Sequence, residues 1–278
     1  VRKLNYYGKT ARNVTHYHQT VEHNVIHEMT AELEDSSDYA KRREEIRAFN
    51  AKSPVLKKGL ALTPVKFGIS FTATFLNQAG ALIHIYTHGG TEMGQGLNTK
   101  VAQIVAEVLQ VDISRIQITA TNTDKVPNTS PTAASSGADL NGKAAQNAAE
   151  TLKQRLVDFL VREYKVTPED VEFRNSQVRV RDLFLSFEEV IQKAYFGQVS
   201  LSSTGFYRTP KIFYNRDKAA GRPFYYFAYG AACSEVIVDT LTGEYKMLRT
   251  DILHDVGASL NPALDIGQVE GAFVQGMG

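Results

Sequence analysis

The sequence predicts a mixed α+β chain, and three observations predict it. Apolar residues recur at helical spacing in several stretches, while others are rich in β-branched and aromatic residues. The order of the two kinds does not repeat regularly enough for a doubly wound sheet. Hydrophobic residues make up 43% of 278, enough to fill one large domain or two modest ones.

In order along the chain, the first 50 or so residues are polar and helix-prone, with helices expected over Asn24–Glu34 and Asp38–Ala51. Ser53-Pro54 and Lys57-Lys58-Gly59 read as a linker, so a helical connecting segment is expected over 1–57 and a larger domain over 58–278. Val65–Phe75 and Ala81–Thr87 have strand composition. Leu97, Val101, Ile104, Val105, Val108 and Leu109 place one apolar face on a helix over Gly96–Leu109. Ile116–Thr121 reads as a strand. Asp139–Val161 reads as a long helix with Ala144, Ala148, Leu152, Leu156 and Phe159 or Leu160 turned inward. Thr167-Pro168 starts a helical turn, and Ser186-Phe187-Glu188-Glu189 is a capping box opening a helix that runs to about Tyr195. Ala231–Asp239 and Glu244–Asp251 flank a turn ending in Gly243, a hairpin. A break at Leu260-Asn261-Pro262 precedes a last amphipathic helix starting near Ala263 or Asp265.

A formal net charge of +1 gives no footprint for nucleic acid or an acidic membrane. No apolar run approaches the roughly 20 residues that span a bilayer. The single cysteine, Cys233, lies among small and apolar neighbours, where a buried inert thiol is expected, and it suits a cytoplasmic location. The sequence starts at Val1 without a signal pattern, and both ends read as cuts through a longer protein. Four histidines (His16, His18, His23, His27) lie close together, and His23 and His27 have a spacing that can bind zinc. They lack a nearby cysteine and any His-Glu-x-x-His pattern, so a surface role is expected and no direct metal ligand is assigned.

Chemistry concentrates in three small-residue segments that each lead into a helix: His88–Gly96, Asn128–Gly137 and Asp265–Gly271, the last at or just inside its helix. A helix start leaves N–H groups unpaired and carries partial positive charge, and glycine and alanine let a ligand approach it. Such loops suit a large, anionic, hydrogen-bonding ligand, and they equally suit ordinary turns and N-caps. None matches a dinucleotide or phosphate-loop fingerprint. The aromatic rings of Phe71 and Phe75 beside polar residues either hold a flat heterocycle or fill a sheet core. Glu92 and Glu235 are candidate acids or bases, or hydrogen-bonded carboxylates.

The strings HGGTEMGQG (His88–Gly96), VPNTSPTAASS (Val126–Ser136), SSTGFYRTP (Ser202–Pro210) and SLNPALDIGQVEGAFVQG (Ser259–Gly276) resemble the molybdenum-binding portion of xanthine dehydrogenases and the related aldehyde oxidases. The resemblance runs from about Lys58 to Gly278, with a weaker match before that. It implies an incomplete molybdopterin-binding region of the molybdenum hydroxylase type. It also implies hydroxylation of a purine such as xanthine or hypoxanthine with water-derived oxygen, and electrons leaving through [2Fe-2S] clusters to FAD and then NAD on a partner domain or subunit. By the same resemblance, Gly94, Gln95, Gly96, Ala133, Ala134, Ser135 and Gln268 face the cofactor, and Phe71, Thr72 and Leu76 line the substrate pocket. Relatives carry a hairpin between segments like Thr87 and His88, which here adjoin, and many have a serine where Gly137 stands. The family's general-base glutamate lies in a segment expected beyond Gly278, and its substrate-binding arginine in one expected before Val1. No catalytic residue is therefore assigned within the chain, and this chain alone is expected to be inactive. A noncatalytic module binding a phosphorylated nucleotide, and a structural domain binding nothing, are the alternatives the loops leave open.

Overall fold

The computed structural model describes residues 1–83, 91–119, 121–122 and 129–278. In chain order its main elements are α1 (Ile26–Ser36), α2 (Tyr39–Lys52), β1 (Leu56–Ile69), β2 (Gln78–Ile83), α3 (Leu97–Leu109), α4 (Gly137–Tyr164), β3 (Val171–Arg174), β4 (Gln177–Val180), β5 (Leu183–Ser186), α5 (Phe187–Phe196), β6 (Ser203–Arg208), β7 (Phe213–Asn215), β8 (Ala220–Arg222), β9 (Tyr226–Asp239), β10 (Tyr245–Asp255) and α6 (Pro262–Met277). The α+β expectation holds. The elements fall into two units, Val1–Ile69 with Phe213–Ser259, and Ser70–Ile212 with Leu260–Gly278. The boundary expected at residue 57 does not coincide with this partition, because the expected linker at Lys57-Lys58-Gly59 is part of β1.

In the first unit, β1 and β10 pair antiparallel with β9, which is the central strand. The edge position explains why β1 looked unlike a strand. An edge tolerates lysines and a proline that donates no ladder bond, here Lys57, Lys58, Lys66 and Pro64. The expected hairpin joins β9 to β10, where Asp239 N–H donates to Glu244 O at 2.8 Å and Gly243 takes φ +80°. Residues one turn apart on α1 (Ile26, Met29, Leu33) are buried with Leu62, Tyr229, Ala231 and Cys233. His23 lies ahead of α1 with a positive φ, so it shares no helix face with His27.

In the second unit, β2 pairs antiparallel with β6, α4 covers the pair, and α3 packs on α4. Its core combines Ala79, Ala81 and Ile83 with Leu97, Val101, Val105 and Leu109 and with Leu140, Ala144, Ala148 and Leu152. A second cluster packs Leu156, Phe159 and Leu160 against β3, β4, β5 and α5. Both Phe159 and Leu160 therefore face inward. The strand expected over Ile116–Thr121 lies partly outside the described residues; Ile116 is extended, and Ile116 and Ile118 pack on the core. The strand expected over Val65–Phe75 ends at Ile69, and a 3-10 turn at Thr74–Leu76 follows. Composition alone cannot supply a pairing partner, and without one β-branched residues do not make a strand.

Candidate functional site

The first junction adjoins both of the others, and the third segment, Asp265–Gly271, lies inside α6 rather than in a loop ahead of it. Thr91 N–H donates to Thr132 Oγ1 at 2.9 Å, linking the first to the second. Gln268 Nε2 lies 3.4 Å from Gly94 O, and Lys100 Nζ pairs with Asp265 Oδ1 at 2.6 Å, linking the first to the third. Gly96 takes φ +76°, and a Cβ there would sit 2.7 Å from the Leu264 methyls. Only glycine meets both the left-handed turn and the close approach of α6. The second junction also reaches the strand that follows the Phe71 loop: Ser130 Oγ donates to Gln78 O, at the start of β2, at 2.9 Å. His84–Gly90 and the Val126–Asn128 part of the second string, with the Thr87–His88 junction where relatives carry a hairpin, lie outside the described residues.

The junctions differ in what their helix amides meet. At α3, Glu92 folds back over the helix start. Its Oε1 accepts from Gly94 N–H at 2.9 Å and Gly96 N–H at 3.0 Å, and its Oε2 from Asn98 N–H at 2.9 Å. Partial burial pushes the Glu92 carboxyl up, but the amides of Asn98, Gly96, Gly94 and Gln95 outweigh it and hold the group below the usual carboxylate range. At α6, Asn261 Oδ1 accepts from Leu264 N–H at 3.1 Å, with Pro262 at the first helical position. At α4, Ser136 turns its hydroxyl onto Ala133 O at 3.0 Å and makes no cap bond. The expectation that all three starts face one anion is thus corrected. Two carry their own acceptors, whereas the N-cap residue of α4, Ser136, does not cap its helix. The residues before it, Ala134 (φ 55°) and Ser135 (φ 54°), both hold left-handed backbone, at a cost of about 1 kcal/mol or more each.

A pH dependence follows from Glu92. A carboxyl held below its unfolded pKa adds stability above that pKa and loses it as pH falls through the folded value. Acidification below the ordinary carboxylate range is expected to lower amide-exchange protection at Gly94, Gly96 and Asn98. Glu92→Gln is expected to flatten that response, and an unchanged acid response in the variant would show that another group causes it.

Gln95 is half-buried, its Oε1 accepting from Met93 N–H at 2.5 Å and its Nε2 donating to Thr91 O at 2.8 Å. Each atom keeps one further bond in hand. Gly94 is exposed with φ +95°, and nothing lies within 4 Å of a Cβ built on it. Gln268, Ala133 and Ser135 are exposed. Neutral amide donors around open backbone fit a large heterocyclic cofactor such as a pterin, with the α4 start beside the second junction for its anionic part. Thr72 is exposed, and Phe71 and Leu76 are half-buried in the loop after β1. Phe71 is therefore not part of a sheet core. An open cavity of about 810 Å³ beside the C-terminal half of α3, lined by Gln103, Glu107, Gln110 and Asp112 among others, contains none of these residues. Glu235 belongs to the other unit, held by Arg42 and Lys58. Sequence reasoning did not find the roles of Asn77, Glu92 or Lys100, because each acts through backbone or a charge distant in sequence.

Solved structures share this architecture. Quinoline 2-oxidoreductase from Pseudomonas putida 86 matches 93% of this chain and 34% of its own, with a TM-score of 0.77 at 21% identity. Aldehyde oxidoreductase from Desulfovibrio gigas matches 94% and 27%, with a TM-score of 0.74 at 20% identity. The fold is that of the molybdopterin-binding region of molybdenum hydroxylases. The molybdopterin cofactor-binding domain family matches residues 32–278. Xanthine dehydrogenase/oxidase from Mus musculus is 48% identical over all of this chain and 20% of its own length, and xanthine dehydrogenase from Dictyostelium discoideum is 45% identical over all of this chain. The chain belongs to the molybdopterin cofactor-binding domain family and is homologous to xanthine dehydrogenase/oxidase. The likeness includes the first residues, ahead of Lys58, and the chain spans about a fifth of the length of these relatives (20% for the mouse protein).

Proposed function

We propose that this chain forms part of a molybdenum hydroxylase that oxidises purines, binding molybdopterin at the three junctions and lining the purine pocket with the Phe71 loop. The observation that carries this reading is the contact of the first junction with the second and third, and of the second with the strand that follows the Phe71 loop. When bound, the cofactor supplies the two-electron redox chemistry. The protein's share is to position and to exclude water. Gln95 and Gln268 offer neutral donors to pterin heteroatoms, and the backbone at Ala133, Ala134 and Ser135, ahead of α4, receives the anionic end. Gly94 and Gly96 let the ligand approach the first loop. The Phe71 ring stacks on the purine, Thr72 offers a hydroxyl at its edge, and Leu76 closes the apolar side.

The general base, the iron–sulfur and FAD domain or subunit, NAD as acceptor and a cytoplasmic location are proposed for the complete protein by likeness to its relatives. Among the described residues no helix is long and apolar enough to cross a membrane. The names of the relatives at 45–48% identity favour a purine over an aldehyde as substrate.

Paired substitutions in the full-length protein test the assignment. Gln95→Ala is expected to lower molybdenum per chain. Phe71→Ala is expected to leave molybdenum near wild type while kcat/KM for xanthine falls about 10- to 100-fold, the worth of a buried aromatic contact. Full metal content and full turnover in both variants would remove the site from these loops.

A further inference from the structure

Asn77 is 0% exposed, yet its side chain contributes nothing to the apolar core. The register explains what it does instead. The last ladder pair of β1 is Ile69↔Tyr226, and at Ser70 the chain leaves the sheet with φ 139°, a strained value for a residue with a Cβ. Phe71 therefore has no ladder partner for its peptide groups. Asn77 supplies both: its Oδ1 accepts from Phe71 N–H at 2.8 Å, and its Nδ2 donates to Phe71 O at 2.9 Å. The second Nδ2 hydrogen goes to Thr74 O at 3.2 Å, across the same loop. Asn77 is itself fixed from behind, where its carbonyl accepts from Thr209 N–H at 3.0 Å, just past β6. A carboxamide has the donor and acceptor of a peptide unit, so here one side chain stands in for the missing strand.

We propose that Asn77 is a positioning residue for the substrate pocket, fixing the Phe71 backbone so that the ring is held ready for a flat heterocycle. This rests on the reading of Phe71 given under Proposed function. The ring has one covalent anchor, and loss of both peptide bonds to Asn77 lets that anchor shift. Misplacement of a binding group by about 1 Å can cost on the order of 100-fold in rate.

The test uses full-length, metal-loaded enzyme with xanthine as the probe, comparing Asn77→Ala, the isosteric Asn77→Asp, Phe71→Ala and the Asn77→Ala/Phe71→Ala double variant. Asn77→Ala is expected to keep molybdenum near wild type, to raise KM and lower kcat/KM about 10- to 100-fold, and to speed amide exchange at Phe71. Asn77→Asp keeps the bond from Phe71 N–H but, ionised, faces two carbonyl oxygens. Its loss is expected to lessen as pH falls and the carboxyl regains a proton to donate. In the double variant, Asn77→Ala is expected to cost less than about twofold beyond Phe71→Ala, because a residue acting through the ring has nothing left to position.

Wild-type kcat/KM in Asn77→Ala overturns the proposal. So does a full additional loss in the double variant, a parallel loss of molybdenum, or failure of both Asn77 variants to fold, since each makes the side chain purely structural. If Phe71→Ala alone leaves turnover intact, the pocket reading fails instead, and exchange at the Phe71 amide still reports whether Asn77 holds the loop.

Discussion

Gly205→Ala is expected to destabilise the unit carrying the candidate site by about 3 kcal/mol or more, at or beyond the upper end of what overpacking costs. Gly205 lies on β6, and a Cβ there would sit 2.0 Å from Ala144 O, 2.7 Å from Ala148 N and 2.9 Å from Ala148 Cβ. Two of the three obstacles are helix backbone, which cannot change rotamer to yield. The helix face beneath is made of Ala144, Ala145, Ala148 and Ala149, all nearly or fully excluded from solvent. Small residues on both sides bring strand and helix backbones together, and this contact sets the height of β2 and β6 over α4. Since β2 carries the Gln78 carbonyl that anchors Ser130, displacement of β6 is expected to loosen the second junction as well. Denaturant unfolding and molybdenum content of the full-length variant measure both effects. Gly59→Ala, the same change on a strand where the new Cβ meets Val236 at an ordinary 3.7 Å, serves as the control and is expected to shift stability by no more than about 0.5 kcal/mol. Equal unfolding midpoints for the two variants would mean that β6 does not sit this close to α4.

The elements legible in the sequence were those whose pattern is local. The 3.6-residue spacing of Leu97, Val101, Val105 and Leu109 defines α3 without reference to anything else, and Ser186 with Glu189 forms the capping box the sequence promised. Strands were read less well because pairing decides them. Lys57-Lys58-Gly59 looked like a linker and is edge strand, whereas Phe71–Phe75 looked like strand and leaves the sheet for a 3-10 turn. At the site, the glycine- and alanine-rich strings marked segments that the structure brings into contact, but not what their backbone meets. Glu92 closing the α3 start and Asn77 gripping Phe71 are side-chain-to-backbone bonds, and no residue spacing distinguishes such bonds from a solvated carboxylate or a surface amide.

The other large effect is expected in the unit that carries neither the three junctions nor the Phe71 loop. Arg42, on α2, is 6% exposed and joins two carboxylates on neighbouring strands. Its Nη1 lies 2.9 Å from Asp251 Oδ2 and 3.2 Å from Ser37 O. Glu235 Oε2 lies 3.0 Å from Nε and 2.9 Å from Nη2, with the directed hydrogen bond coming from Nε. Removal of one member of a buried ion pair costs about 3–5 kcal/mol, because the remaining charge stays desolvated and uncompensated. Here Lys58 also pairs with Glu235 and Arg249 with Asp251, so the expected cost of Arg42→Ala lies near the lower end, about 3 kcal/mol. The same physics predicts that the loss is conditional. In the triple variant Arg42→Met, Glu235→Met, Asp251→Leu, no carboxylate is left stranded, Lys58 and Arg249 return to solvent, and most of the stability is expected to come back. Unfolding midpoints that fall additively through the series would mean that the guanidinium contributes by packing its stem, not by compensating charge.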